Sequence, residues 1–309
     1  MGRYVLKRLL YIIPTFLILT ILVYVILSFS PGDPVLATLG ANATQEQVEQ
    51  KTEELGLDKP LPVRYVTYMK NFVQGDMGKS WISGNKISDE FAARLGNTLL
   101  LLLYSLILTI VLGTFMGVVA AIKQNSITDN VTMVLAMLLL SIPAFFLGLI
   151  MQLVFSMRLQ WLPVTGAESF RHFILPSIVL AASRVAGQVR MTRSSMLDVI
   201  GQDYIRTARA KGASEVRVIC YHALRNGLLP AITNIGNNIG GIVSGAVTVE
   251  TIFAVPGIGS MLVNAVRTAD IPSVMGPLIF IALLVCVVNV LIDLLYAFID
   301  PRVRRQFSK

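Results

Sequence analysis

Residues 203–230 read DYIRTARAKGASEVRVICYHALRNGLLP, and their helix–glycine–helix grammar decides how the chain around them is organised. Asp203 stands where an N-cap opens a first helix. Arg209 and Lys211 fall in its last turn, where positive charge suits the helix dipole, and Gly212 takes the left-handed position just past its end. Ser214 then caps a second helix with Glu215 in its first turn. Val216, Ile219, Cys220 and Ala223 recur at three-to-four spacing and give that helix one apolar face. Gly227 and Pro230 are expected to close it. The product is two short helices meeting at an elbow, a basic knob of the kind that sits in a partner's groove and moves as a rigid body.

On both sides of the elbow the composition turns apolar. A bilayer core needs about 20 apolar residues per helix, and windows of that kind fall near 9–30, 98–122, 131–157, 173–193, 229–253 and 275–298. With 54% hydrophobic and 14% charged residues and a mean hydropathy of +0.69, a 309-residue soluble globule would lack polar surface. The expectation is an all-α integral membrane protein with six transmembrane helices. Arg3, Lys7 and Arg8 precede an apolar run from Leu9 to Phe29 that is longer than a signal-peptide core and lacks an A-x-A-like site, so residues 1–30 read as a retained first helix. Residues 31–97 form an extracytoplasmic segment that starts at the helix-stopping Pro31-Gly32-Asp33-Pro34. Within it, Thr44 and Gln47 make a capping-box pattern and Gly56 a terminator. Residues 98–300 form the membrane core, with the loop 194–228 inside it, and 301–309 a basic tail.

Charge orients this arrangement. The net charge of +8 does not point to nucleic acid, because the basic residues segregate by side. With six spans and the N-terminus inside, the inner segments hold Arg3, Lys7, Arg8, Lys123, the run from Arg184 to Arg225 and the tail. The short outer loops hold only Arg158, Arg171 and Arg267. Both termini are therefore expected in the cytoplasm of a bacterial cell, with the elbow on the same side. Trp81 and Trp161 fit an interfacial belt at the outer span ends.

Span five carries Asn234, Asn237, Asn238, Gly241, Ser244, Gly245 and Thr248 along one face. Gly236 with Gly240, and Gly241 with Gly245, are registers that permit close helix approach, so packing alone accounts for the glycines. The asparagines need partners or water, and a translocation pathway beside a second subunit supplies both. In span six Asn289, Asp293 and Tyr296 share a face, and Asp293 is a pathway candidate or one half of a packing ion pair. Arg184 and Arg190 are accounted for by snorkelling towards the interface. Glu250, near the outer end of span five, reads either as a gate or contact with an outer partner or as a capping or structural group.

Other chemistries lack their residues. Gly78-Lys79-Ser80 is not a phosphate-binding loop, since Val73 stands where the first glycine is required. Cys220 and His222 are two apart and share no helix face, so no metal site is expected, and Cys220 and Cys286 suggest no disulfide framework. Two histidines cannot furnish the clustered groups of a membrane enzyme. A secondary transporter would need coupling carboxylates in its spans and internal repeats.

Resemblance sharpens the reading. Measured against the EAA motif of ABC importer permeases, the elbow keeps Ala208, Gly212 and Leu224 but holds Arg206 and Thr207 where Glu and Ala are usual. The variant YIRTARAKG…HALRN…LLP is instead similar to the peptide/nickel branch of these permeases, the dipeptide and oligopeptide permease B-type subunits. The runs Pro31–Pro34, Leu55-Gly56-Leu57-Asp58, Gly75-Asp76-Met77-Gly78, Arg190–Met196, Glu250-Thr251-Ile252-Phe253, Pro256-Gly257-Ile258-Gly259 and Asp300-Pro301-Arg302 extend the likeness along the whole chain. The resemblance implies a type I importer fold and an ATPase-coupling site at Asp203, Arg206, Ala208, Arg209, Lys211, Gly212, Ala213, Ser214 and Glu215. It implies as partners a second homologous permease, two ATP-binding subunits that hold ATP and Mg, and an extracytoplasmic substrate-binding protein. No cofactor is expected on this chain. Peptides lead as substrates, with nickel chelates or other small solutes as the alternative.

Overall fold

A computed structural model describes residues 2–29, 34–40 and 42–299, with side chains described except at 2–12, 15, 34, 37, 229, 233, 235–239 and 288–299. Its helices are α1 (Gly2–Ser28), α2 (Pro34–Leu39), α3 (Gln45–Glu54), α4 (Leu61–Val73), α5 (Ile87–Ile122), α6 (Ile127–Ser141) and α7 (Ala144–Met151). They continue as α8 (Phe170–Ile200), α9 (Asp203–Ala210), α10 (Glu215–Arg217), α11 (Leu224–Ile252), α12 (Ile258–Arg267) and α13 (Ile271–Ile299), with π-helical segments at Gln152–Arg158 and Val218–Ala223. Among the described residues the fold is all-α, the one β feature being an isolated bridge between Lys79 and Lys86.

Each apolar window of the sequence falls on a helix, but the third is broken. Pro143 has no amide hydrogen to donate and drives Ile142 into an extended conformation (φ −83°, ψ 120°), so α6 ends and α7 leaves at 103° to it. On length and apolarity α5 and α8 each suffice for a crossing, and α6 with α7 would add a third only as one bent span. The described apolar stretches of α1, α11 and α13 are shorter, Phe16–Ser28, Gly240–Ile252 and Ile271–Val287.

The chain divides into two compact units, chiefly Met1–Thr98 with Pro256–Leu291, and Leu99–Val255 with Ile292–Arg305. In the first, α3 opens on the expected capping box, Thr44 N–H to Gln47 Oε1 at 2.9 Å with Gln47 N–H to Thr44 Oγ1 at 3.4 Å, and it closes on Gly56 at φ +65°. Tyr24 packs edge-on against Tyr65 (5.6 Å) and is buried with Ile271, Met275 and Ile279. Trp81 packs against this cluster, whereas Trp161 is exposed. The buried Asp270 carboxylate gathers the segment by accepting from Ser80 Oγ (2.6 Å), the Trp81 amide (3.1 Å) and Ser273 Oγ (2.7 Å).

The second unit is built around α8, the most enclosed of the long helices. Gly113 and Gly117 of α5, one turn apart, let its backbone lie against Gln188 and Thr192 of α8. A β-carbon at Gly113 would stand 2.6 Å from Gln188 Cβ, and one at Gly117 2.8 Å from the Val189 carbonyl oxygen. α6 is held at its start by a two-pronged ion pair, Arg193 Nε to Asp129 Oδ1 at 2.6 Å and Arg193 Nη2 to Asp129 Oδ2 at 2.7 Å, with Asp129 only 2% exposed. Gln152 fastens the π segment by donating to the carbonyls of Val164 (3.0 Å) and Ile252 (3.1 Å).

Two outcomes test these contacts. Gly117→Leu should lower the thermal midpoint of the purified protein by several degrees, because overpacking costs about 1–3 kcal/mol. Gly96→Ala, where a β-carbon meets nothing within 4 Å, should not lower it. Asp129→Asn should destabilise by about 3 kcal/mol, and Asp129→Asn with Arg193→Gln by less than the sum of the two single losses, as read in a double-mutant cycle.

Candidate functional site

The elbow starts from the end of α8. Gln202, in extended conformation, is the N-cap of α9, and Asp203 is its first helical residue, one position later than the sequence suggested. Asp203 still suits the positive end of the helix dipole. Its contact with Arg206 is loose, 4.0 Å between two exposed side chains. Ile205, fully buried, is the pin that holds α9, packed with Ala121, Met196, Val218, Ile219 and Ala223.

Gly212 closes α9 as expected, at φ +83°. The Gly212 amide donates to the Arg209 carbonyl (2.9 Å) and the Ala213 amide to the Ala208 carbonyl (3.2 Å), the paired bonds of a Schellman cap. Ala208 and Ala213 pack against the buried cluster, while Arg206, Arg209, Lys211 and Gly212 face outward. Across the turn, Arg209 grips Glu215 with Nε to Oε1 at 2.7 Å and Nη2 to Oε2 at 3.3 Å. That hydrogen bond holds the Glu215 carboxyl below the usual carboxylate range. The clasp is therefore complete above ordinary carboxylate pKa values and is lost only as pH falls through the lowered one.

The second arm differs from the sequence reading in two ways. Ser214 is the N-cap of α10 by backbone conformation, without a side-chain cap bond. The helix does not stop at Gly227 and Pro230 but runs through the π segment into α11. Gly227 serves close approach instead: a β-carbon there would strike Met196 Sδ at 2.5 Å, and its carbonyl accepts from Ser195 Oγ at 2.7 Å. The buried face also shifts. A π-helix bonds i to i+5, so Val218 and Ala223, five apart, are both fully buried with Ile219, while Val216 (73% exposed) and Cys220 point outward. Asn226 Nδ2 donates to Tyr204 Oη at 2.9 Å and ties the two arms together.

The polar face expected on span five splits. Asn234 turns to α8, donating to Gln188 Oε1 at 3.0 Å, and the fully buried Gln188 in turn donates to the Ala231 carbonyl at 3.2 Å. Gly241 and Gly245 face α8 as well: β-carbons there would collide with the Arg184 guanidinium and with Leu180 Cδ1. Ser244 and Thr248 are exposed. The side chains of Asn237, Asn238, Asn289, Asp293 and Tyr296 lie outside the described ones, as does Asp300. Glu250 is wholly buried. Sequence reasoning passed over Gln188 and the Asp129–Arg193 pair. Each is a lone polar group in or beside an apolar window, which is a signal in itself.

Arg184 lies against α11. It lies sixteen residues before the end of α8, about 24 Å along the axis, and its guanidinium is laid over Gly241. With Ser183, Arg190, Ser194 and Asn234 it lines a cavity of about 590 Å³.

Comparison with known proteins agrees with this architecture. Residues 110–305 match the family described as binding-protein-dependent transport system inner membrane component, and residues 1–102 match the N-terminal family of the same membrane components. The glutathione transport system permease protein GsiC of Escherichia coli strain K12 is 40% identical over 304 residues, covering 98% of this chain and 99% of that one. Its counterpart in Salmonella choleraesuis is 41% identical over the same span and the same shares. An inward-facing structure of the MetNI methionine ABC transporter, 16% identical, is similar with a TM-score of 0.58 over 68% of this chain and 96% of that one, a likeness of fold alone. With a family match over most of its length and relatives aligned almost end to end, the chain belongs to the inner-membrane components of binding-protein-dependent transport systems, the permeases of ABC importers.

Proposed function

We propose that this permease carries short peptides or glutathione-like peptides across the inner membrane, moved by ATP hydrolysed on separate subunits. It works beside a second homologous permease, two ATP-binding subunits and an extracytoplasmic binding protein, with both termini and the α9 elbow in the cytoplasm. The substrate class is supported by the likeness to glutathione permeases over nearly the whole chain, and the orientation by the segregation of basic residues.

The observation that carries the coupling role is the build of the elbow. Its backbone is closed by the cap at Gly212, its two arms are joined by Arg209–Glu215 and Tyr204–Asn226, and its inner face is pinned by Ile205 and Val218. Outward it shows Tyr204, Val216, Tyr221 and several cations. An element this constrained transmits displacement instead of absorbing it, and its apolar-and-basic outer face suits a groove on a partner subunit. Loosening the elbow should therefore separate ATP hydrolysis from uptake without removing either subunit.

Gly212 tests this cleanly, because a side chain there meets nothing within 4 Å and only the positive φ is strained. In the reconstituted importer, coupled uptake per ATP should fall in the order Gly, Asn, Ala, Val, since asparagine tolerates the left-handed region and a β-branched residue does not. The valine variant is expected to lose about tenfold, in line with a strain of about 1–2 kcal/mol; equal coupling in all four would remove the elbow from the mechanism. Glu215→Gln should lower coupling several-fold, with no step between pH 6 and 8 in the parent protein that the variant lacks, because the depressed carboxyl stays ionised throughout that range.

A further inference from the structure

We infer that the cavity on α8 is an anion-receiving station that takes the carboxylate of the transported solute on Arg184 and Arg190. This rests on the reading of the chain as a permease for peptide-type solutes and adds to it a residue-level basis for substrate charge. Ser183, Arg184, Gly187, Arg190 and Ser194 fall on one face of α8, and Asn234 of α11 closes the other side. A cavity of about 590 Å³ lies within the range of small-molecule sites, roughly 300–1,000 Å³. Gly187 leaves it open, since a β-carbon there meets nothing within 4 Å. Among the described residues the lining brings two guanidinium groups, two hydroxyls and an amide.

The physical need is specific. The membrane potential, negative inside, opposes inward movement of an anion, and low-dielectric walls raise the cost of its charge. Guanidinium groups in the lining offset the cost of holding that charge there, and their planar fork matches a carboxylate in two-pronged geometry. Gly241 is part of the device: with any larger residue there, the Arg184 guanidinium could not lie where it does. Gln188 orients Asn234 from the far side of the helix pair, so the amide is positioned and not adrift.

The test uses the complete importer in nanodiscs of zwitterionic lipid, with Ser194→Cys introduced and Cys220 and Cys286 replaced by serine. Residue 194 is labelled by an anionic or a cationic methanethiosulfonate and followed by mass spectrometry of the permease. The anionic reagent should react about tenfold faster, as expected for a cleft lined by one sign of charge; comparing the two cancels any change in thiol acidity. Arg184→Gln and Arg190→Gln should each collapse that ratio, and Arg184→Lys should keep it. A tripeptide with a free C-terminal carboxylate should slow labelling, its C-terminal amide should not, and the difference should vanish in Arg184→Gln. Equal rates for the two reagents, or protection by acid and amide alike, would overturn the proposal. So would protection by phosphatidylglycerol without peptide, which would assign the cavity to a lipid headgroup. If the charge ratio holds while the parent importer takes up no peptide, the substrate reading has failed and the anion station has not.

Discussion

Where lipid replaces water, a buried polar side chain is costly without a partner inside the protein, and in this permease that constraint falls chiefly on α8. Its Gln188, Arg193 and Ser195 are answered by the Ala231 carbonyl and Asn234, by Asp129, and by the Gly227 carbonyl. These bonds fix α11 on one side and the start of α6 on another. Gly113 and Gly117 bring α5 close enough for dispersion contacts to replace the hydrophobic drive that is weak between helices in lipid. The unit Leu99–Val255 is thus organised by the needs of one helix.

That helix also links two sites. Arg184 and Arg190 lie along α8, and Met196, further along it, belongs to the buried cluster that seats Ile205 and Val218 of the elbow. Under the proposed coupling role, displacing the elbow would load the end of α8 that carries Met196 directly, because the closed cap at Gly212 and the Arg209–Glu215 clasp leave little room for the arms to flex. The continuation of the second arm into α11 adds a second rigid connection, so both helices that flank the cavity are reached from the elbow. The π segment at Val218–Ala223 sits at that junction, where one extra residue per turn rotates the exposed face.

Local chemistry was the part of this protein legible in sequence. The capping box at Thr44 and Gln47, the terminators Gly56 and Gly212 and the outward run of basic residues on α9 depend on neighbours a few positions away. Pro143 carries a signal that went unread, since the window 131–157 reads as one span across it; the rule that residues before proline are extended accounts for the break that apolarity alone conceals. The π register was not readable, because a three-to-four periodicity presumes an ordinary helix and so placed Val216 and Cys220 on the buried face. Pro230 does not end its helix, since packing of Gly227 on Met196 and the Ser195 bond hold the backbone helical through it. Partnerships such as Asp129 with Arg193, 64 residues apart, require the fold itself.

The elbow at Gly212 is the place where, under the proposed function, motion enters this chain. Single cysteines placed at 206–217 and crosslinked to the co-purified ATPase, with and without trapped nucleotide, test it most directly. Crosslinks are expected to centre on Gly212, strong from outward positions such as Arg206, Lys211 and Val216 and weak from Ala208 and Ala213, and the pattern should shift as a block when nucleotide is trapped. Absence of crosslinks throughout, together with solute uptake by the permease without any ATPase, would contradict it.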